Sequence, residues 1–156
     1  MPLIISHFGP LNNVELDMTG LPNNSRVASA VIDNSVVLYK DMFVRVQFRT
    51  GNGALGKNGT VQVGILTTLD DTIYDNILKD HNVFLEVGDL DSATDYTITI
   101  NTERIGPLPP KFKFAVKNIS GKPFSTSVSK FSLDWMGRRD VEVTNNASMI
   151  SSNWDV

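Results

Sequence analysis

The feature that most limits the fold of this chain is the recurrence of hydrophobic side chains at every second position. The clearest segments lie at 42–49, 95–101, 111–117 and 131–135. In the third of them, KFKFAVK, two Phe and a Val alternate with Lys and Ala. Alternation with a period of two places one set of side chains on the buried face of a β-strand and the other set in water. These four segments therefore predict half-buried strands.

Shorter or less regular strands are predicted between these segments, at 14–18, 27–32, 35–40, 60–67, 82–87 and 141–144. Turn signals rich in Gly, Asn, Asp and Pro separate them, because these residues supply the backbone angles that tight reversals require. Many short strands between such turns predict an all-β fold, either a β-sandwich or a jelly roll. At most one short helix is expected, at 70–80, where Asp70 or Asp71 could cap it and Ile73 and Ile77 lie four residues apart.

The composition favours one compact domain. The chain has 156 residues, of which 41% are hydrophobic and 20% charged, values typical of globular proteins. No repeat, low-complexity tract or linker divides the sequence. We therefore expect a single all-β domain over 1–156, with terminal arms at about 1–8 and 145–156.

Charge and cysteine content narrow the classes of partner. The net charge is −3, and the 14 Lys and Arg residues are scattered, whereas nucleic-acid binding needs a clustered basic surface. No apolar run approaches the roughly 18 residues that span a membrane. The chain has no Cys, and 1–6 lacks the features of a signal peptide. We expect neither a nucleic-acid nor a membrane partner, and synthesis in a cytoplasm.

Motifs for catalysis and for metal or cofactor binding are missing from the sequence. The only histidines, His7 and His81, are 74 positions apart and fit no metal-ligand or triad spacing. The glycine-rich run 51–56 precedes a strand-like segment, whereas a phosphate-binding loop precedes a helix. The sequence therefore predicts no catalytic, cofactor or metal site, and a protein that is not an enzyme.

Candidate interaction residues lie mostly near the ends of the chain. Leu3, Ile4 and Ile5 form an apolar patch, and Trp154 stands in a polar tail. A Trp gains most of its favourable energy from burial, so Trp154 is expected either to pack on its own domain or to anchor in a neighbouring subunit. Tyr74 is a further aromatic candidate for the surface.

Residues 40–136 resemble small structural proteins of tailed bacteriophages. The resemblance is carried by the run FVRVQFRTGNGALGKNGTVQVGIL, by the Thr-x-Tyr-x-Asn-like turn at 72–76, and by the Pro-Pro, aromatic-rich strand and Asn-x-Ser-Gly element within 106–121. Pro109 and Pro110 fix an extended entry into that strand. This chain differs from the group in its acidic insert around 70–81 and in its extra residues after 137.

The resemblance implies a virion structural protein on the exterior of a phage capsid, made in the host cytoplasm. The expected role is that of a decoration or cement protein that bridges capsid subunits. Its expected partners are the major capsid protein, contacted through Leu3, Ile4, Ile5 and Trp154, and further copies of itself in a homotrimer. The alternative is a tail- or fibre-associated module that recognises host surface glycan through Tyr74 or Trp154.

Overall fold

The computed structural model describes residues 3–143, which form nine strands and three short 3₁₀ helices. The helices are Asp80–Asn82, Thr102–Ile105 and Val128–Lys130. The strands are β1 (Leu3–Val14), β2 (Ser25–Ala28), β3 (Ile32–Asp33), β4 (Asp41–Arg49), β5 (Thr60–Leu66), β6 (Val83–Val87), β7 (Asp95–Asn101), β8 (Lys111–Ile119) and β9 (Ser132–Val143).

The strands pair in a nested order, the first strand with the last and so on toward the middle of the sequence. β1 pairs with β9, both β2 and β3 pair with β8, β4 pairs with β7, and β5 pairs with β6, all antiparallel. Two further pairings, β4 with β9 and β5 with β8, join the nested hairpins into sheets ordered β1-β9-β4-β7 and β2-β8-β5-β6. A long antiparallel ribbon rolled in this way is an eight-stranded jelly roll, in which β2 and β3 act as one interrupted strand.

The hydrophobic core lies between the two sheets. Phe114 of β8 packs against Trp135 of β9 in the other sheet, with ring centroids 6.5 Å apart, and also contacts Phe84 and Phe112 edge-on. The inward residues of β4 are all buried, as the alternation in 42–49 predicts. The all-β sandwich prediction is thus confirmed, and the strand order gives the jelly roll.

Two predicted strands are wrong in their positions. Residues 35–40 form a loop, because the Asn34 side chain makes two hydrogen bonds to the backbone of Tyr39. The Asn34 amide donates to the Tyr39 carbonyl at 2.9 Å, and the Asn34 side-chain oxygen accepts the Tyr39 N–H at 2.8 Å. Leu38 within that loop has a φ of 60°. Residues 15–18 follow a strand instead of forming one, since β1 ends at Val14.

No helix forms at 70–79. Instead the Asp70 carboxylate accepts the N–H groups of Thr72 and Ile73 at 3.0 and 2.9 Å and closes a turn. Asp71 takes a φ of 63°, which a right-handed helix cannot accommodate. A single 3₁₀ turn follows at Asp80–Asn82.

The Asn-x-Ser-Gly element at 118–121 is held by a network of hydrogen bonds around the buried side chain of Asn118. The Asn118 amide donates to the carbonyls of Leu21 and Lys122 at 2.9 and 2.8 Å. Its oxygen accepts both the N–H and the hydroxyl of Ser120 at 3.0 and 2.6 Å. Gly121 then turns with a φ of 97°, a conformation that side-chain-bearing residues rarely adopt. This motif joins two loops and serves the fold.

Phe114→Ala tests the inter-sheet contact. The substitution should lower the free energy of unfolding by about 3 to 5 kcal/mol, because it leaves a cavity among packed rings. Urea denaturation followed by circular dichroism measures the loss. Val128→Ala is the control, since Val128 is 74% exposed, and its effect should be much smaller. Equal effects of the two substitutions would contradict the placement of the core.

Candidate interaction surface

The two ends of the jelly roll differ in their exposed apolar surface. At one end, loops 34–40 and 102–110 meet through a hydrogen bond from the Leu108 N–H to the Lys40 carbonyl, and loop 67–79 approaches through the ion pair of Lys111 with Asp71. We name this the apolar end, because most exposed large apolar side chains of the described residues lie there, namely Leu3, Ile4, Val36, Leu38, Leu69, Ile73 and Ile77.

The opposite end is built from loops 15–24, 50–59, 88–94 and 120–131. Backbone hydrogen bonds tie these loops in pairs, for example from the Gly20 N–H to the Ser125 carbonyl and from the Ala93 N–H to the Gly51 carbonyl. Within the part of the chain that the structure describes, Val128 is its only strongly exposed large apolar residue. Apolar exposure is therefore concentrated at one end of the molecule, as expected for a surface that contacts a partner.

A two-stranded ribbon projects from the apolar end. The pairing of β4 with β9 stops at Asp41 and Arg138, whereas β9 continues to pair with β1 from His7 to Leu3. Five residue pairs therefore extend past β4, a length of about 17 Å at strand spacing. Leu3 and Ile4, on opposite faces of this ribbon, are 57% and 54% exposed, and Ile5 is half-buried.

The predicted arm at 1–8 is thus ordered from residue 3 onward as an edge strand. The three apolar residues Leu3, Ile4 and Ile5 lie together at the end of the ribbon, opposite residues 141–143 of β9. Trp154 and the arm at 145–156 lie outside the described residues.

An ion pair fixes the root of the ribbon. Arg138 donates two hydrogen bonds to Asp41, from Nε at 2.9 Å and from Nη2 at 2.6 Å. Burial raises the pKa of Asp41, but the hydrogen bonds from Arg138 and Asn101 outweigh it and leave the pKa below its ordinary value. Lys40 adds a second pair with Asp140 at 2.9 Å. The ribbon therefore leaves the body at a defined position.

Loop 67–79 is held by hydrogen bonds and still exposes apolar side chains. Thr68 donates its hydroxyl to the Ile73 carbonyl at 2.6 Å, and the Asp75 N–H donates to the Thr67 carbonyl at 2.9 Å. The loop nevertheless leaves Leu69 fully exposed and Ile73 76% exposed. Sequence reasoning missed Leu69, although an apolar residue within an acidic, turn-rich segment could have indicated it.

Tyr74 lies in this loop, but little of its ring is available to a ligand. The Lys113 ammonium lies over one face of the ring, 4.7 Å from its centroid. The Tyr74 hydroxyl is buried and has no hydrogen-bond partner among the described residues. A sugar could therefore stack only on the other ring face.

A second apolar patch lies on the outer face of the β1-β9-β4-β7 sheet. Leu11 and Phe43 both stand opposite Met136 in the strand register, and Phe8 packs on Phe43 with ring centroids 5.8 Å apart. We name these four residues the outer patch. The sequence carried one sign of it, because Phe43 breaks the otherwise polar outer face of 42–49.

Residues 3–143 contain neither a cluster of metal-binding side chains nor a helix that could span a membrane. Nowhere in this range do three or more His, Cys, Asp or Glu side chains gather so that they could hold a metal ion. None of the helices found in the same range is long and apolar enough to cross a membrane.

Comparisons with known proteins give only distant structural similarities. No protein-family model matches the chain, and no curated protein matches it. Similar solved structures include one described as "CBM4 structure and function" (TM-score 0.32, 11% identity, covering 90% of this chain and 94% of that chain). Another is the structure of the infectious bursal disease virus Gx strain (TM-score 0.34, 9% identity, covering 97% of this chain and 43% of that chain). A third is a rhamnosidase from Klebsiella oxytoca with rhamnose bound (TM-score 0.31, 10% identity, covering 91% of this chain and 29% of that chain).

The chain spans less than half the length of the latter two proteins. Similarity at these TM-scores carries no argument about function, and the jelly-roll assignment rests on the strand pairing alone.

The turn at Asp70 should resist acid. Hydrogen bonds from the N–H groups of Ile73 and Thr72 lower the pKa of Asp70 from 3.8 to about 2. A lowered folded-state pKa means that the stabilisation is complete above 3.8 and is lost as the pH falls through about 2. In a ¹⁵N NMR titration, the amides of Thr72 and Ile73 should therefore keep their shifts through pH 3.8. An inflection near 3.8 that Asp70→Ala abolishes would contradict the turn.

Proposed function

We propose that this protein is a structural protein of a phage virion, a decoration or cement protein on the capsid exterior that bridges subunits of the major capsid protein. The virion assignment is supported by the resemblance within 40–136. The attachment is supported by one structural observation, the apolar ribbon that projects from the apolar end. Neither support involves a reacting group, and we propose that the protein is not an enzyme.

The ribbon has the properties of an unfinished interface. Two-stranded ribbons are marginally stable in water unless a further surface packs on them. The strand edge of β9 beyond Arg138 is unpaired on the β4 side within the described residues, and Leu3 and Ile4 expose apolar surface on opposite faces. A capsid subunit can complete this ribbon by apolar contact, by adding a strand to its edge, or by both.

Many identical attachments explain how a small domain can stabilise a shell. A ligand that binds only the assembled state stabilises that state by mass action. When one bound molecule bridges two subunits, its second contact is intramolecular and gains effective concentration. Each contact can therefore be modest while the whole shell becomes more resistant to heat.

We propose a homotrimer because attachment through the apolar end leaves the sides of the jelly roll free to contact neighbouring copies. If the apolar end faces the capsid, the sides of the roll face neighbouring copies around an axis normal to the shell. The outer patch lies on such a side and is bordered by the ion pair of Arg45 with Asp134, 2.8 Å long. A repeated side-to-side contact closes into a trimer when it relates neighbouring copies by a rotation of 120° about that axis.

Phage that lack this protein should release DNA at a lower temperature and on dilution into low salt. Purified protein added back to the deficient particles should restore their heat stability. The double variant Leu3→Ser/Ile4→Ser should fail to restore it, whereas Val128→Ser, an equally polar change at the opposite end, should succeed. DNA release followed by dye fluorescence measures both effects. Deficient particles with unchanged heat and salt stability would refute the cement role.

The oligomer is tested separately, by light scattering on a gel-filtration column. The purified protein should have three times the 17.2 kDa mass of the chain. Leu11→Ser/Phe43→Ser should reduce it to a monomer, because it removes apolar surface from the outer patch. A monomeric wild-type protein at high micromolar concentration would contradict the trimer and leave the attachment proposal standing.

A further inference from the structure

The dipeptide Asn-Gly occurs twice in loop 50–59, as Asn52–Gly53 and as Asn58–Gly59. An Asn that precedes Gly can lose its side-chain amide without an enzyme, because Gly has no Cβ to shield its backbone nitrogen from the Asn side chain. Both Asn residues are exposed, so solvent access does not distinguish them. The surroundings of the two Gly nitrogens do.

The second Asn-Gly pair is fixed in a hydrogen-bonded turn. The Gly59 N–H donates to the Gly56 carbonyl at 3.0 Å, and Asn58 takes a positive φ of 62°, as the third residue of some tight turns does. The turn is packed on Ser120, whose carbonyl accepts the Gly56 N–H at 2.8 Å and would lie 2.6 Å from a Cβ at Gly59. The Gly59 nitrogen is therefore bonded, and its backbone cannot rotate without breaking these contacts.

The first Asn-Gly pair lies at an unbonded loop tip. Within residues 3–143, none of residues 52–55 makes a hydrogen bond or an ion pair. A Cβ at Gly53 would approach only the Lys122 side chain, at 3.8 Å. Gly51, directly before the tip, is held, since its carbonyl accepts the Ala93 N–H at 2.9 Å. The tip can therefore change its backbone angles while its ends stay in place.

We propose that Asn52 is a site of spontaneous deamidation and that the fold protects Asn58 from the same reaction. The Gly53 backbone nitrogen attacks Cγ of Asn52 and loses its proton, and the new C–N bond closes a succinimide ring. The bond from Cγ to the side-chain nitrogen breaks, and that nitrogen leaves with the proton as ammonia. Water then opens the ring at either carbonyl and yields aspartate or isoaspartate. Water is the only co-reactant.

The reaction changes the charge at the end of the roll that lies opposite the apolar end. Each converted Asn52 adds one carboxylate to a chain whose net charge is −3. Isoaspartate also adds one carbon to the main chain at the tip. Because residues 52–55 make no hydrogen bond within 3–143, neither product removes one, and the jelly roll keeps its fold.

Ageing of the purified full-length protein at mildly alkaline pH tests the proposal. Peptide mapping by mass spectrometry follows Asn52 and Asn58 in the same sample. Asn52 should convert about tenfold faster, because Asn58 reacts only after its turn opens and hydrogen bonds of Gly56 and Gly59 are lost. Equal rates, or faster conversion at Asn58, would overturn the proposal.

Unfolding in guanidinium chloride separates the effect of the fold from that of the neighbouring residues. In the unfolded chain both Asn-Gly pairs should react at similar rates, because the turn that protects Asn58 is gone. A preference for Asn52 that persists undiminished in denaturant would show that the local sequence sets it. That result would contradict protection by the turn.

Two matched variants assign the charge change to one residue. Gln reacts far more slowly than Asn, because its side chain has to close a larger ring. Asn52→Gln should abolish the early appearance of a more acidic species on ion-exchange chromatography, whereas Asn58→Gln should leave it unchanged. If the acidic species forms at the wild-type rate in Asn52→Gln, Asn52 is not the site and the proposal is wrong.

The same reaction reports which end of the roll faces the capsid, and this use rests on the proposed function. A protein attached through the apolar end leaves loop 50–59 in solvent. Asn52 should therefore convert as fast on deficient particles loaded with the protein as it does in free solution. Markedly slower conversion on the particle would contradict attachment through the apolar end, and it would leave the deamidation site of the free protein standing.

Discussion

The contact between Phe114 and Trp135 is the interaction on which the rest of the structure depends. Phe114 belongs to β8 and Trp135 to β9, so their rings join the two sheets at the centre of the roll. Because the inner faces of both sheets are buried in this core, they cannot serve as a binding surface. Recognition is left to the outer faces and to the two ends, and only one of those ends is apolar.

The strands with clear alternation could be predicted because their pattern is local. In 95–101 and 111–117 each inward position is apolar, and the structure places both segments as strands. The segment 35–40 is also largely apolar, but hydrogen bonds from the Asn34 side chain to the Tyr39 backbone hold this segment as a loop. β1 has no regular alternation, since Gly9 and Pro10 interrupt it at an irregular register, and its pairing is fixed by the distant β9. Sequence alone could not reveal that partner.

The interaction surface could be predicted in part for the same reason. Leu3, Ile4 and Ile5 were visible as an apolar run, but their place on a projecting ribbon depends on where β4 stops pairing with β9. At 70–80 the spacing of Ile73 and Ile77 favours a helix, whereas the Asp70 carboxylate closes a turn, and Leu69 and Ile73 are exposed to solvent. The Asn-x-Ser-Gly element forms hydrogen bonds within the fold and does not contribute to this surface.

A cryo-electron microscopy reconstruction of the virion tests the central claim most directly. The account predicts jelly rolls on the outside of the shell, with the ribbon and loop 67–79 against the capsid subunits and loops 50–59 and 120–131 facing solvent. A shell without such density, or rolls attached through the opposite end, would contradict it.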